Sequence, residues 1–279
     1  MSITLQCGRF ELDLGRPLVM GILNVTPDSF SDGNGSVSLE DTLARARGMI
    51  ADGADMLDIG GESTRPGADP VSEQEELERV IPVIEALRDS GIPLSVDTFK
   101  PEVMRRAIEA GADMINDIRA LQAPGAIEAV AESNCGLCIM HMQGEPRTMQ
   151  AAPRYDDVIT DVRQFLAERV AVLRGAGISS RRIVLDPGFG FGKTAGQNYT
   201  MLRYLDRMRV DEYPWLLGFS RKSMLGHVVG REPRDRLAAS LAAALYGVEQ
   251  GGHILRVHDV AETVDALKIW RTIKDESFV

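Results

Sequence analysis

Two sets of side chains in this sequence could share one ligand. Asp97, Asn116 and Asp186 each fall near the end of a short β-rich run, "LSVDT", "DMIND" and "RIVLDP". A carboxylate can accept two parallel N–H bonds from a planar, guanidine-like edge, and an amide adds a donor and an acceptor. Arg65, Lys222, Arg256 and His258 offer positive charge suited to phosphates and carboxylates. A ligand with a flat polar heterocycle at one end and a phosphorylated group at the other would engage both sets. Asn24, Asp58, His141 and Ser220 close further apolar runs in the same manner.

Eight runs must position these groups: "LVMGILN", "DMLDIG", "LSVDT", "DMIND", "LCIMH", "RIVLDP", "WLLGFS" and "ILRVHD". Between them the sequence predicts helices over about 39–52, 72–90, 101–110, 124–133, 155–175, 197–209 and 234–250, with a last one over 260–273. Several helices end on a glycine directly before the next β-rich run, as at Gly53, Gly91, Gly111, Gly177 and Gly252; glycine suits the left-handed position past a helix C-terminus. Ser72 stands three residues before Glu75, a capping-box spacing. Leu77, Val80, Ile81, Ile84 and Leu87 follow at helical spacing. Eight strand–helix alternations predict an α/β fold, a (β/α)8 TIM barrel forming one domain over 1–279 with a short N-terminal β-hairpin, its active site at the C-terminal strand ends. A doubly wound sheet would carry fewer strands and a dinucleotide fingerprint after the first, which is missing.

The chain has 279 residues and a formal net charge of −10, with no lysine- or arginine-rich block. This disfavours nucleic-acid binding without excluding small anions, because charge is screened over about 8 Å at physiological salt. No apolar run reaches the ~18 residues of a membrane span, and the N-terminus lacks a signal-peptide pattern; a cytoplasmic location is expected. Cys135 and Cys138 form C-x-x-C but run into an apolar β-rich stretch, so buried packing is expected rather than redox chemistry. "DPGFGFGKT" nearly matches a P-loop, yet Pro187 stands where the first glycine belongs. Phe189 and Phe191 read either as aromatic covers in a loop or as core.

Taken together, "GILNVTPDSFSDG" at 21–33, "DIGGESTRPGA" around residue 60, "SVDT" at 95–98, "INDI" at 115–118, "LDPGFGFGK" at 185–193, "GFSRKS" at 218–223 and "RVHDV" at 256–260 resemble the dihydropteroate synthase family, in order along almost the whole chain. The resemblance implies a folate-biosynthesis transferase. It would join 6-hydroxymethyl-7,8-dihydropterin pyrophosphate to p-aminobenzoate, releasing pyrophosphate, with Mg2+ accompanying the pyrophosphate. It also implies that Asp97, Asn116, Asp186 and Lys222 hold the pterin, and that Asn24, with Arg256 and His258, holds the metal and pyrophosphate. Thr64, Arg65 and Pro66, with Phe30 and Asp32 on the preceding loop, would close over the second site together with Phe191 and Ser223. Catalytic roles fall to Asp97, Asp186, Lys222 and Arg256. Family members are commonly homodimers, and sulfonamides occupy their aminobenzoate site. The stripe Leu237, Leu241 and Leu245 is a candidate dimer contact. Alternatives are a pterin-binding methyltransferase barrel, a non-catalytic paralogue, and phosphate hydrolysis at the near-P-loop.

Overall fold

A computed structural model describes residues 3–26, 38–63, 70–145 and 148–275. The chain opens with an antiparallel hairpin, β1 (Thr4–Cys7) and β2 (Phe10–Asp13). Eight parallel strands follow: β3 (Leu18–Asn24), β4 (Met56–Gly60), β5 (Leu94–Asp97), β6 (Met114–Asp117), β7 (Gly136–Met140), β8 (Ile183–Asp186), β9 (Leu216–Leu217) and β10 (Ile254–Val257). Their order is β8-β7-β6-β5-β4-β3-β10-β9, and a parallel bridge between Leu185 and Trp215 brings β9 back to β8. The predicted barrel with its hairpin is therefore present.

The helices are α1 (Leu39–Ala51), α2 (Glu73–Leu87), α3 (Pro101–Ala110), α4 (Ala126–Ala131), α5 (Val158–Gly175), α6 (Ala195–Arg203), α7 (Ser223–Val229), α8 (Leu237–Glu249) and α9 (Val260–Lys274). Three departures from the sequence reading have local causes. The helix expected over 124–133 starts only at Ala126, because Gly125 is left-handed at φ 83°. The one expected over 197–209 breaks at Tyr204 into α6 and a 3-10 turn, Leu205–Met208, which carries Leu205 and Met208 into the core. Helix α7 has no counterpart in the sequence reading; its seven residues are too few for a periodicity to register.

Capping also differs in detail. Ser72 Oγ accepts from the Glu75 N–H as expected, but the Glu75 carboxylate pairs with Arg79. A complete capping box forms instead at Thr194 and Gln197. The buried face of α2 is Glu76, Val80, Val83, Ile84 and Leu87, with Leu77 and Ile81 on its flank. On α8 the buried residues are Ser240, Ala243, Ala244, Gly247 and Val248, and the Leu237–Leu241–Leu245 stripe is only half-buried.

Strand alternation builds the site. Side chains of successive strand residues point to opposite faces. One face, with Val19, Leu57, Val96, Ile115, Leu137, Leu185 and Leu255, packs in the large core cluster with residues of the helices. The other face begins at the barrel floor with Met20, Met56, Met114, Cys138, Val184, Leu216 and Ile254, which pack with Leu5 and Cys7 of the hairpin. The hairpin thus closes the N-terminal end of the barrel. Two residues further along the same inward faces stand Ile22, Asp58, Asn116, Met140, Asp186, Gly218 and Arg256. A polar layer lies directly upon an apolar one, at the C-terminal mouth where barrel sites form.

Candidate active site

Arg256 is the centre of the polar layer. Its Nε donates to Asp58 Oδ2 at 2.5 Å and its Nη2 to Asp97 Oδ2 at 2.9 Å. Asn116 Nδ2 donates to the same Asp58 oxygen at 3.0 Å. Asp58, Asp97 and Asn116 are all buried. Asp58 and Asp97 each retain a second buried oxygen, Oδ1, with no partner among the described residues. Burying an acceptor without a hydrogen bond is unfavourable by about 1–3 kcal/mol, so two such atoms at one mouth mark a place built for external donors. Burial pushes the Asp97 pKa up to about 7; Arg256 pulls it down, while Asp58 and other carboxylates push the same way as burial. The Arg256 pKa lies above the ordinary arginine value, because Asp58 and Asp97 outweigh the desolvation of its guanidinium.

Lys222 and Asp186 form the opposite wall. The Lys222 side chain runs past Gly218, where a Cβ would sit 3.6 Å from its Nζ and 4.0 Å from Arg256 Cβ. Its Nζ donates to the Phe189 carbonyl and lies 4.8 Å from the centre of the Phe191 ring. Burial lowers the Lys222 pKa to about 8, against the pull of Asp186. Asp186 is buried and accepts from the Gly188 N–H at 2.7 Å. Burial raises its pKa, with Lys222 the largest opposing influence.

The glycine-rich stretch is a cage around a lysine. Lys193 is 2% exposed, and its Nζ donates to the carbonyls of Gly188 at 2.8 Å, Phe191 at 2.9 Å and His141 at 3.3 Å. An ammonium has three N–H donors, and all three are committed to the chain itself. This removes the phosphate-hydrolysis reading of the near-P-loop. Gly188, at φ 72°, is where the cage is tightest: a Cβ there would lie 1.8 Å from the His141 oxygen. The two phenylalanines divide. Phe189 is fully buried against Phe219, with ring centres 4.6 Å apart, and Phe191 stays beside Lys222.

His258 joins this wall through Ser220, whose Oγ accepts from the His258 N–H at 3.1 Å and lies 2.9 Å from Nδ1. Between Ser220 and Lys222 the chain turns through Arg221, which is left-handed at φ 59°. That strained residue is fixed on every side. Its N–H donates to Ser240 Oγ at 3.0 Å, its carbonyl accepts from Arg236 at 2.9 Å, and its guanidinium pairs with Asp259. Ser223 follows as the first residue of α7. Asn24 ends β3 next to Gly60, whose missing Cβ would lie 3.7 Å from both Asn24 Oδ1 and Asp97 Cβ.

The structure therefore gathers Asp97, Asn116, Asp186, Lys222 and Arg256 at one mouth, with Asn24, Phe191, Ser223 and His258 around it. Phe30, Asp32, Thr64, Arg65 and Pro66 lie outside the described residues. Asp58, which the sequence reading places at a strand end, proves to pair with Arg256 and Asn116 far along the chain. Lys193 ties Gly188 and Phe191 of its own loop to His141, a role that spacing alone does not reveal. Cys135 and Cys138 are free and buried, as expected of packing.

The model of the family described as "Pterin binding enzyme" matches residues 20–258. The dihydropteroate synthase of Escherichia coli strain K12 is 53% identical over 260 residues, 93% of this chain and 92% of that protein. The Burkholderia cenocepacia dihydropteroate synthase complexed with 7,8-dihydropteroate is 58% identical, with a TM-score of 0.90 over 98% of this chain and 97% of that one. The Xanthomonas albilineans dihydropteroate synthase with 4-aminobenzoic acid is 51% identical, with a TM-score of 0.93 over 98% and 99% of the two chains. A barrel whose mouth pairs unsatisfied carboxylate oxygens with buried cations, and whose whole length aligns with these enzymes, belongs to the dihydropteroate synthase family of pterin-binding enzymes.

Proposed function

We propose that this mouth condenses 6-hydroxymethyl-7,8-dihydropterin pyrophosphate with p-aminobenzoate, giving 7,8-dihydropteroate and pyrophosphate. The observation that carries the reading is the pair of buried, unpartnered oxygens on Asp58 and Asp97 beside the Arg256 guanidinium. Asp97 and Asn116 accept and donate along the flat polar edge of the pterin, and Asp186 with Lys222 holds the opposite edge. Arg256 and His258 face the pyrophosphate, while Thr64, Arg65, Pro66, Phe30, Asp32, Phe191 and Ser223 serve the arylamine.

The chemistry follows from charge flow. As the methylene C–O bond breaks, its electron pair leaves on the pyrophosphate oxygen, where Arg256 stabilises the growing negative charge. Positive charge develops on the pterin methylene and spreads into the ring, where anionic Asp97 and Asp186 stabilise it. The neutral aromatic amine then attacks the methylene carbon and sheds a proton. Such an amine is a weak base, so no strong general base is required and the course is SN1-like.

The donor set fits Mg2+ bound together with substrate. This ion is commonly held by one or two protein oxygens plus phosphates. Asn24 places an amide oxygen 3.7 Å from where a Cβ of Gly60 would stand, on the side of Asp97, and among the described residues no cluster of three His, Cys, Asp or Glu side chains offers a separate cage. When bound, the ion would neutralise charge on the leaving pyrophosphate. The homodimeric state implied by the family resemblance and a cytoplasmic location, which suits three free cysteines, belong to the same proposal.

Product formation from the two purified substrates, followed chromatographically with and without Mg2+, tests the assignment. Dihydropteroate is expected only when both substrates are present. Its absence, with the pterin substrate nonetheless bound, would identify a binding barrel instead. The cage around Lys193 gives a second expectation. Gly188→Ala must displace the chain that shapes the Asp186 wall, and a displacement near 1 Å lowers kcat/KM by about a hundredfold. Unchanged kinetics in that variant would remove the cage from the machinery.

A further inference from the structure

Two consecutive residues of one loop clasp two consecutive residues of the next. Ser220 Oγ accepts from the His258 N–H at 3.1 Å. The Arg221 guanidinium forks onto Asp259, its Nε donating to Oδ2 at 3.1 Å and its Nη2 to Oδ1. The first loop delivers Lys222 to the mouth, and the second follows directly on Arg256. Phe219 to Lys222 form a turn, closed by the Lys222 N–H on the Phe219 carbonyl at 3.1 Å. Arg221 is its third residue, at φ 59°. A positive φ at that position is ordinarily met by glycine.

Asp259 is placed for a different task and does not perform it. It is the N-cap residue of α9, and aspartate is among the best side chains for closing a helix start. Its carboxylate makes no cap bond and turns to Arg221 instead. Stability alone does not account for that exchange. The two side chains remain 36% and 16% exposed; an ion pair open to solvent contributes little, and a left-handed arginine is strained. Glycine would make the turn with neither. What the fork adds is direction. A bidentate guanidinium–carboxylate pair fixes both groups in one plane, and so sets the turn that carries Lys222 against the end of β10. The backbone of the same residue is held from α8 by Ser240 Oγ and from its N-cap by Arg236.

We propose that Asp259 is a positioning residue for the pterin substrate: by holding Arg221 left-handed, it aims Lys222 at the Asp186 wall without itself touching the ligand. The inference rests on the reading that Lys222 and Asp186 hold one pterin edge. Calorimetric titration with 6-hydroxymethyl-7,8-dihydropterin pyrophosphate tests it on Asp259→Asn, Arg221→Gly, the double variant and Arg221→Ala. Asparagine caps a helix as well as aspartate does, so α9 keeps its start. Without the fork, Arg221 relaxes out of the left-handed region and fewer molecules hold Lys222 in place. Apparent affinity falls with that fraction, and Asp259→Asn is expected to raise the Kd about tenfold. Arg221→Ala, which loses the fork but keeps a Cβ, should share the loss. Glycine holds a positive φ unaided, so Arg221→Gly should bind within about threefold of the unaltered protein. Adding Asp259→Asn to it should weaken binding by no more than about twofold, because the contact it removes is already gone. Thermal denaturation shows whether each variant is folded at the titration temperature. Should Asp259→Asn fail to fold, the contrast between Arg221→Ala and Arg221→Gly decides alone. An unchanged Kd in Asp259→Asn, the same loss from that substitution in both backgrounds, or equal affinities in Arg221→Ala and Arg221→Gly overturns the proposal. Absence of binding by the unaltered protein would instead sink the assigned ligand, and this inference with it.

Discussion

Replacing Arg256 with methionine is expected to lower the stability of the fold by about 3–5 kcal/mol, the usual effect of removing one partner from a buried ion pair. The substitution keeps an unbranched, flexible side chain at the mouth but leaves Asp58 and Asp97 buried without their cation. For a chain of this size that loss corresponds to a melting temperature lower by about 10 °C or more. The pH dependence gives the cause away. Asp97 already holds its proton up to about pH 7, and without Arg256 its pKa rises further. A carboxyl group whose folded pKa exceeds its unfolded value stabilises the native state at low pH and loses that contribution as pH rises through the gap. The deficit of the variant should therefore be larger at pH 8 than at pH 5.5, read by thermal denaturation at both. Equal melting temperatures at pH 8 would mean that the guanidinium contributes nothing to holding the carboxylates.

Asp97→Asn should act on turnover more than on binding. The amide keeps the shape and one acceptor, so the pterin loses about one charge-assisted hydrogen bond and binds roughly tenfold more weakly. The anion that faces the developing ring cation is gone altogether. Losing one preorganised electrostatic partner of a transition state typically lowers kcat by about a hundredfold to a thousandfold. A pH profile separates the two roles. Because Asp97 titrates near 7, the unaltered enzyme should lose kcat/KM as pH falls through about 7, when the carboxylate takes up its proton. Asp97→Asn has no such group and should lack that limb. Equal losses in kcat and pterin affinity, or an acidic limb that survives the substitution, would reassign the cation-stabilising role to Asp186.

Much of this architecture was legible along the chain because its signals are local. Seven of the eight β-rich runs form barrel strands of four to seven residues at the expected places. In each, the residue that closes the run is fixed by alternation to the face already set by the apolar residues before it. The eighth, "WLLGFS", contributes only Leu216 and Leu217 to its strand, because Gly218 and Phe219 lead into the left-handed turn at Arg221. Helix α7 escaped notice for the same reason that short helices generally do: two turns contain no measurable repeat.

The sequence by itself determined the order of strands and helices, the polar character of the strand ends and the family to which those motifs belong. Tertiary structure alone decided which groups meet. Arg256 reaches Asp58 and Asp97 across 198 and 159 residues of chain. Lys193 turns inward to three carbonyls instead of outward to a phosphate, and Arg221 pairs with Asp259 across 38 residues. Periodicity records what each residue faces, whereas pairing depends on how the barrel closes. Closure brings distant charges into an environment of low dielectric, where their protonation and partners are set jointly.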